Sequence, residues 1–274
     1  MKMMEFLSKV VSKGKMFYAL KIERLFCLNF FNPLATVYFN LRLLTFSKAW
    51  RLPIFVYGWP RVLSLYGKAE IMGGGKTGLV KLNRKYHEAG APNNMGSPEE
   101  FNIWGTIVFK GKCQIGTGGK IIVGLNGKLV FGDDCNIMSA CNICAYKSVT
   151  VGDNLLVAHA AQIFDTGFHF VADMNASKVK AIGTPVIIGN DCWICNSATI
   201  MGGTYIPDKT IVASHSLVNK NMSDIPTRSM IAGIPAKLVK TGIVKIDDIS
   251  VLQEIDKFFK THPDSMEYIL TRNL

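Results

Sequence analysis

The 274-residue sequence has no stretch of 18 uncharged apolar residues, so no spanning helix is expected. It also lacks a secretory hydrophobic segment. Glu5, Lys9, Lys13 and Lys15 interrupt the place where one would lie, so the start does not read as a signal peptide. Acidic residues are scarce early on: residues 1–70 hold eleven Lys/Arg against three Glu, a balance of +8. The net charge is +11, so the other 204 residues carry only +3. A nucleic-acid binder would be basic more evenly, which argues against DNA or RNA as a partner. Seven cysteines without a secretion signal predict free thiols in a reducing compartment, and hence a cytoplasmic protein.

What is present falls into three textures. Residues 1–65 are basic and aromatic-rich, with Phe17, Tyr18, Leu25, Phe26, Phe30, Phe31, Tyr38 and Phe46 among them. Residues 66–242 are rich in Gly, Ile, Val and Asn. Residues 243–274 include Ile249, Leu252, Ile255, Phe258 and Phe259 at three- and four-residue steps. That predicts a helix over about 246–261, capped by Asp247 or Asp248 and followed by Pro263.

The strongest signal lies in the middle. From Ile188 an aliphatic residue recurs every six positions: Ile194, Ile200, Ile206, Val212, Val218. Four positions after each comes a mostly small residue: Cys192, Ala198, Thr204, Thr210, Ser216, then Met222. A second register runs Phe131, Ile137, Ile143 and, after a two-residue slip, Val151, Val157, Ile163; a weaker third runs Phe109, Ile115, Ile121. Neither a helix nor a simple strand has a period of six; a β-solenoid does. Each segment forms one short face, with the aliphatic residue and the small residue pointing inward. The turns fall at the Gly-Asp/Asn steps 132–134, 152–154 and 189–191. From 189–191 to the turn at 207–209 is 18 residues, one circuit of three faces.

Two C-x-x-C pairs, Cys141/Cys144 and Cys192/Cys195, at first suggest zinc. Their separation does not fit a zinc ribbon. Cys113, Cys135, Cys141 and Cys192 fall in the tight inward slot, and Cys144 and Cys195 in a corner slot. The expectation is buried, inert thiols and no metal.

These residues resemble the hexapeptide-repeat acyltransferases, and the run from Ile187 to Lys240, closing on Gly233-x-Pro235-Ala236-Lys237, is similar to the branch of maltose, galactoside and polysaccharide O-acetyltransferases. The resemblance covers roughly residues 100–242. It implies a mainly β fold, a left-handed parallel β-helix, which the rest of the sequence flanks with an N-terminal helical or irregular region and a C-terminal helix. It further implies a homotrimer with sites between subunits, acetyl-CoA as co-substrate and a sugar or glycan acceptor. An N-acyltransferase acting on an amino sugar, a longer acyl donor, or a non-catalytic scaffold are the alternatives.

The repeat breaks between Ile163 and Ile188, and insertions at solenoid corners often carry function. The insertion begins with Asp165 and His169. In the resembled enzymes a His at this place deprotonates the acceptor hydroxyl, a task suited to an imidazole. Asp165 either orients that ring, holds a sugar hydroxyl, or shapes a turn. His159 and His215 face outward, the first toward the cleft and the second toward the coenzyme; His87 and His262 lie outside the repeats. A carbonic-anhydrase-like metal site would need His159, His169 and His215 together, and their spacing does not match. By position, the donor contacts implied are Trp193, Asn196, Ser214, Asn219 and Lys220, with Lys237 and Lys240 for phosphates. Several of the family's contacts are Arg where this chain has Lys, a point charge in place of a bidentate fork. The N-terminal 65 residues leave two readings: a cap on the first coil, or an interfacial element on an anionic membrane.

Overall fold

The computed structural model describes residues 30–72, 74–84 and 97–270. Cys27, His87 and the aromatics before Phe30 lie outside them. Short strands wind into a three-sided left-handed parallel β-helix. Its first face is a nine-stranded sheet whose successive members include Ile54–Val56, Cys113–Ile115, Leu156–Val157 and Trp193–Ile194. The second face has seven strands, from Arg61–Leu65 to Leu217–Val218, and the third has six, from Lys68–Ile71 to Tyr205–Ile206.

The six-residue period is visible in the register. Val157 pairs with Ile194 and Ile194 with Val212, Ile163 with Ile200, and Ile188 with Ile206. All these side chains are buried, as are the slot residues Cys192, Ala198, Thr204, Thr210, Ser216 and Met222. Corners repeat as well. Asp134, Ala140, Asn154, Ala160, Asp191, Ser197, Lys209 and His215 all have φ between 53° and 60°. Left-handed backbone at two corners of each of these four coils is costly for most residues, which is why Asx and small residues recur there. Beside them runs a ladder of side chains. Asp133 accepts from the Lys112 N–H (2.7 Å), Asp153 from Asp133, Asn190 from Asp153 and Asp208 from Asn190 (each 2.8 Å). The 18-residue step from Asn190 to Asp208 is the predicted circuit.

The first edge is covered. Helix α1 (Pro33–Leu43) lies over the opening coil, with Phe39 packed edge-on against Phe101 at 5.3 Å. Its polar side chains take up the hydrogen bonds that the terminal strand would leave free. Asn40 Nδ2 donates to the Ile54 carbonyl (2.6 Å) and Asn40 Oδ1 accepts from the Ile54 N–H (3.2 Å). Thr36 Oγ1 accepts from Val56 N–H (3.0 Å), and the Asn32 N–H donates to the Val56 carbonyl (2.9 Å). An unpaired edge is a template for aggregation, and here side chains satisfy it. A short helix α2 (Phe46–Ala49) follows. The parallel stack therefore begins at Ile54, ahead of the boundary expected at residue 66, because strands 54–56 and 61–65 pair with 80–82 and 100–103. At the far end Met222 is buried and Ile225 packs against the core.

The Gly233–Lys237 run forms the turn of an antiparallel hairpin, Ser229–Gly233 with Ala236–Thr241, on the first face. Helix α3 spans Ile249–Thr261, and Asp248 caps it by accepting from Ser250 and Val251 N–H. Its expected apolar stripe is only partly covered: Ile255, Phe258 and Phe259 are half-buried and share a face with Val251. Val251 is 2% exposed, whereas Ile249 is 70% exposed. The segment before the helix is anchored by Asn154 Nδ2 donating to Asp247 (3.1 Å).

Six of the seven cysteines fall in the described residues, and all six are buried and free. Inward-slot thiols donate to backbone carbonyls of the next coil: Cys135 to Gly152 (3.4 Å), Cys141 to Ala158 (3.1 Å) and Cys192 to Pro207 (3.2 Å). Burial pushes Cys135, Cys144 and Cys192 up to about 12, so they stay protonated at neutral pH and make poor nucleophiles.

Candidate active site

At the corner between the second and third faces the fifth coil opens into residues 165–185. The neck of this insertion is closed by an antiparallel bridge between Thr166 and Gly183 and by the Thr184 N–H donating to the Asp165 carbonyl (2.8 Å). Beyond it lies an exposed hairpin, Ala172–Asp173 with Lys178–Val179. His169 stands between neck and hairpin and is exposed.

The residue before it is pinned. Phe168 packs edge-on against Tyr146 at 5.8 Å and Phe164 at 5.9 Å, and its N–H donates to Thr166 Oγ1 (3.0 Å). Phe168 has φ of 63°, and the aromatic contacts hold this left-handed backbone in place. The aromatic trio was not singled out from the sequence. Its members sit at irregular positions across two coils, and only coil pairing brings Tyr146 under Phe168.

Asp165 is 1% exposed. Its Oδ1 accepts from the Tyr146 N–H (2.8 Å) and its Oδ2 from the Lys147 N–H (2.6 Å). Those two residues form the same corner one coil earlier, at the two-residue slip between Ile143 and Val151. Among the described residues Asp165 and His169 share no hydrogen bond, and His169 has none of its own. Gly202, in the next coil, packs on the opposite side from Tyr146: a Cβ there would come within 2.8 Å of the Asp165 carbonyl oxygen.

Around this neck is an open cleft of about 420 Å³, lined by Asp165, His169, Lys180, Met201, Leu217 and Asn219 among others. The structure thus brings Asp165, His169 and Asn219 together. Lys220 follows Asn219 and is exposed. Asn196 and Ser214 meet at the other edge of the second face, where the Ser214 hydroxyl donates to Asn196 Oδ1 (2.6 Å). His159 and His215 occupy the same edge, so the three repeat-region histidines are split between two corners. Trp193 lies on the first face between Leu156 and Ile211, and its indole Nε1 is buried without a hydrogen-bond partner. Lys237 and Lys240 are exposed on the outer strand of the terminal hairpin, and neither has an acidic partner among the described residues. His262 stacks on Phe258 at the end of α3.

One free imidazole beside an open cleft, with a carboxylate committed to the backbone beneath it, can exchange a proton with a bound hydroxyl or amine. Among the described residues no group of three or more His, Cys, Asp or Glu side chains is arranged to hold a metal ion.

No family model matches the chain. Among characterised proteins, it is 26% identical over 146 residues to the Escherichia coli K12 protein described as "Putative lipopolysaccharide biosynthesis O-acetyl transferase WbbJ", covering 50% of this chain and 72% of that one. It is 32% identical over 93 residues to the galactoside O-acetyltransferase of the same organism, covering 34% of this chain and 44% of the relative. The chain thus spans less than half the length of that second relative. Among solved structures, the polySia-specific acetyltransferase NeuO aligns over 77% of this chain and 92% of its own, with a TM-score of 0.43 and 18% identity.

Proposed function

We propose that this chain, which belongs with the hexapeptide-repeat acyltransferases, moves an acetyl group from acetyl-CoA to a hydroxyl of a sugar or glycan precursor. The observation that carries this reading is His169: a solvent-facing imidazole with no hydrogen-bond partner among the described residues, on a pinned neck beside a cleft of about 420 Å³. A sugar hydroxyl is a poor nucleophile at neutral pH and needs a base within hydrogen-bond reach. His169 takes its proton as the oxygen attacks the thioester carbonyl. The tetrahedral intermediate collapses with cleavage of the C–S bond, the His169 imidazolium returns its proton to the departing sulfur, coenzyme A leaves as the thiol and the acetyl ester remains on the sugar. A backbone N–H is the natural donor to the oxyanion.

The donor lies across the first and second faces. Asn219 and Lys220 stand near the cleft, Asn196 and Ser214 at the opposite edge of the second face, and Trp193 on the first face. The exposed Lys237 and Lys240 meet the phosphates as point charges. The cleft is open on one side, consistent with completion by a neighbouring subunit of a homotrimer.

The test is an acceptor screen with acetyl-CoA, following thiol release. His169→Ala is expected to lower turnover about 10²- to 10⁴-fold, the usual contribution of a general base. Near-wild-type turnover in that variant would overturn the assignment.

A further inference from the structure

Helix α1 is apolar on both sides. Ala35, Phe39 and Leu43 face the core, while Leu34, Val37, Tyr38 and Leu41 lie on the opposite side and are exposed. An ordinary surface helix turns a polar face to water. The next helix continues the exposed apolar surface: Phe46 is 72% and Trp50 80% exposed. Between α2 and the turn after the third strand lies a cleft of about 310 Å³ lined by Ser47, Lys48, Arg51, Gly74 and Gly75 among others. Arg51 Nη1 donates to the Gly74 carbonyl (3.1 Å), which holds the guanidinium at the cleft. Neither Lys48 nor Arg51 has an acidic partner among the described residues, and the sequence has no Asp or Glu between Glu23 and Glu70.

We infer that this end of the β-helix docks on an anionic phospholipid bilayer, with Phe46, Trp50 and the outer face of α1 entering the interface and a headgroup phosphate held at Lys48 and Arg51. Charge decides between occupants. A second copy of this surface would bring like charges together, which opposes association. Residues 1–29 carry six Lys/Arg against two Glu, so they too have the same sign as the cleft. An anionic lipid surface has the opposite sign. Exposed aromatic and aliphatic groups beside cations are the composition of interfacial elements. The inference does not depend on the acetyl-transfer reading, since the surface is at the first coil and His169 is at the fifth.

Flotation of the full chain tests it, with vesicles of phosphatidylcholine alone and of an equal mixture with phosphatidylglycerol. The wild type should float with the mixture and not with phosphatidylcholine. Phe46→Ser/Trp50→Ser should abolish flotation. Lys48→Gln/Arg51→Gln should weaken it about 25-fold, at about fivefold for each cation near an anionic surface. All four side chains are on the surface, so the urea midpoint should stay at the wild-type value in both variants and confirm folding. The inference fails if the wild type does not float with the mixture, or if Phe46→Ser/Trp50→Ser floats as well as wild type. It fails equally if that pair abolishes self-association in a chain that never binds vesicles, which would make the surface a contact between copies. Heat from inorganic phosphate binding without flotation would leave the cleft as a free-anion site and also overturn docking.

Discussion

Replacing Asp165 separates two roles that its position beside His169 leaves entangled. The carboxylate is 1% exposed and accepts two backbone N–H groups, from Tyr146 at 2.8 Å and Lys147 at 2.6 Å. Both bonds are charge-assisted and their acceptor is buried, though the donor residues lie at the surface. At about 1–3 kcal/mol for each of two stranded donors, Asp165→Ala should destabilise the fold by about 2–6 kcal/mol. Asp165→Asn keeps one acceptor but turns its amide nitrogen toward the other N–H, so about half that loss is expected. Urea unfolding measures it as a lowered midpoint at unchanged slope. Hydrogen exchange should show loss of protection at Tyr146 and Lys147. Turnover should fall as well, because the neck carrying His169 is loosened. The acid limb of the pH–rate profile should nevertheless keep its wild-type midpoint, since the carboxylate acts on the backbone and not on the ring. An Asp165→Asn enzyme of wild-type stability whose acid limb moved to lower pH would refute this. Asp165 would then be orienting and charging the imidazole directly.

Two further measurements probe the scaffold. Asn40→Leu keeps the side-chain volume but strands the buried N–H and carbonyl of Ile54, so a loss of about 2–5 kcal/mol is expected by urea unfolding. An unchanged midpoint would show that the terminal strand needs no side-chain cap. Glu99 sits with its carboxylate buried, accepting the Gly119 N–H, and desolvation holds its pKa well above the usual carboxylate range. The folded state then retains a proton that the unfolded chain releases, so stability falls as pH rises above about 4.5. Glu99→Gln keeps an acceptor for Gly119 and should remove that fall, leaving the variant at least as stable as wild type at neutral pH. A variant less stable than wild type at neutral pH would mean that the charge itself is stabilising.

Most of the β-helix was legible from the sequence because its constraints are local and repeat. Each inward position takes an aliphatic residue, each tight slot a small one, and two corners of each later coil a left-handed residue. From Phe131 to Val218, outside the slip after Ile143 and the insertion after Ile163, these demands recur every six residues and produce the register directly. The first coil was not legible. Its strands 54–56, 61–65 and 68–71 are joined by corners of unequal length, so Val56 and Leu65 fall nine apart and the single six-residue step from Leu65 to Ile71 does not establish a period. They look like part of the aromatic region, and only pairing with 80–82 and 100–103 places them in the stack. The C-terminal helix shows the opposite case: its three- and four-residue periodicity was plain and its cap was one of the two expected, yet only Val251 is fully buried, Ile255, Phe258 and Phe259 are half-buried, and Ile249 and Leu252 face solvent. Periodicity states which residues share a face, not what that face meets.

At the candidate site the sequence shows two irregularities, the slip between Ile143 and Val151 and the insertion after Ile163. Nothing in the linear order joins them. In the fold they lie on the same corner in successive coils, and Asp165 ties them by reaching from the neck of the insertion to the N–H groups of the slipped corner. Without the slip, Tyr146 and Lys147 would not present two adjacent donors, and the carboxylate would be buried without partners. Without the carboxylate, the slipped corner would have two unsatisfied N–H groups beneath Phe168. Each departure from the repeat therefore stabilises the other, and the residue held above both is His169.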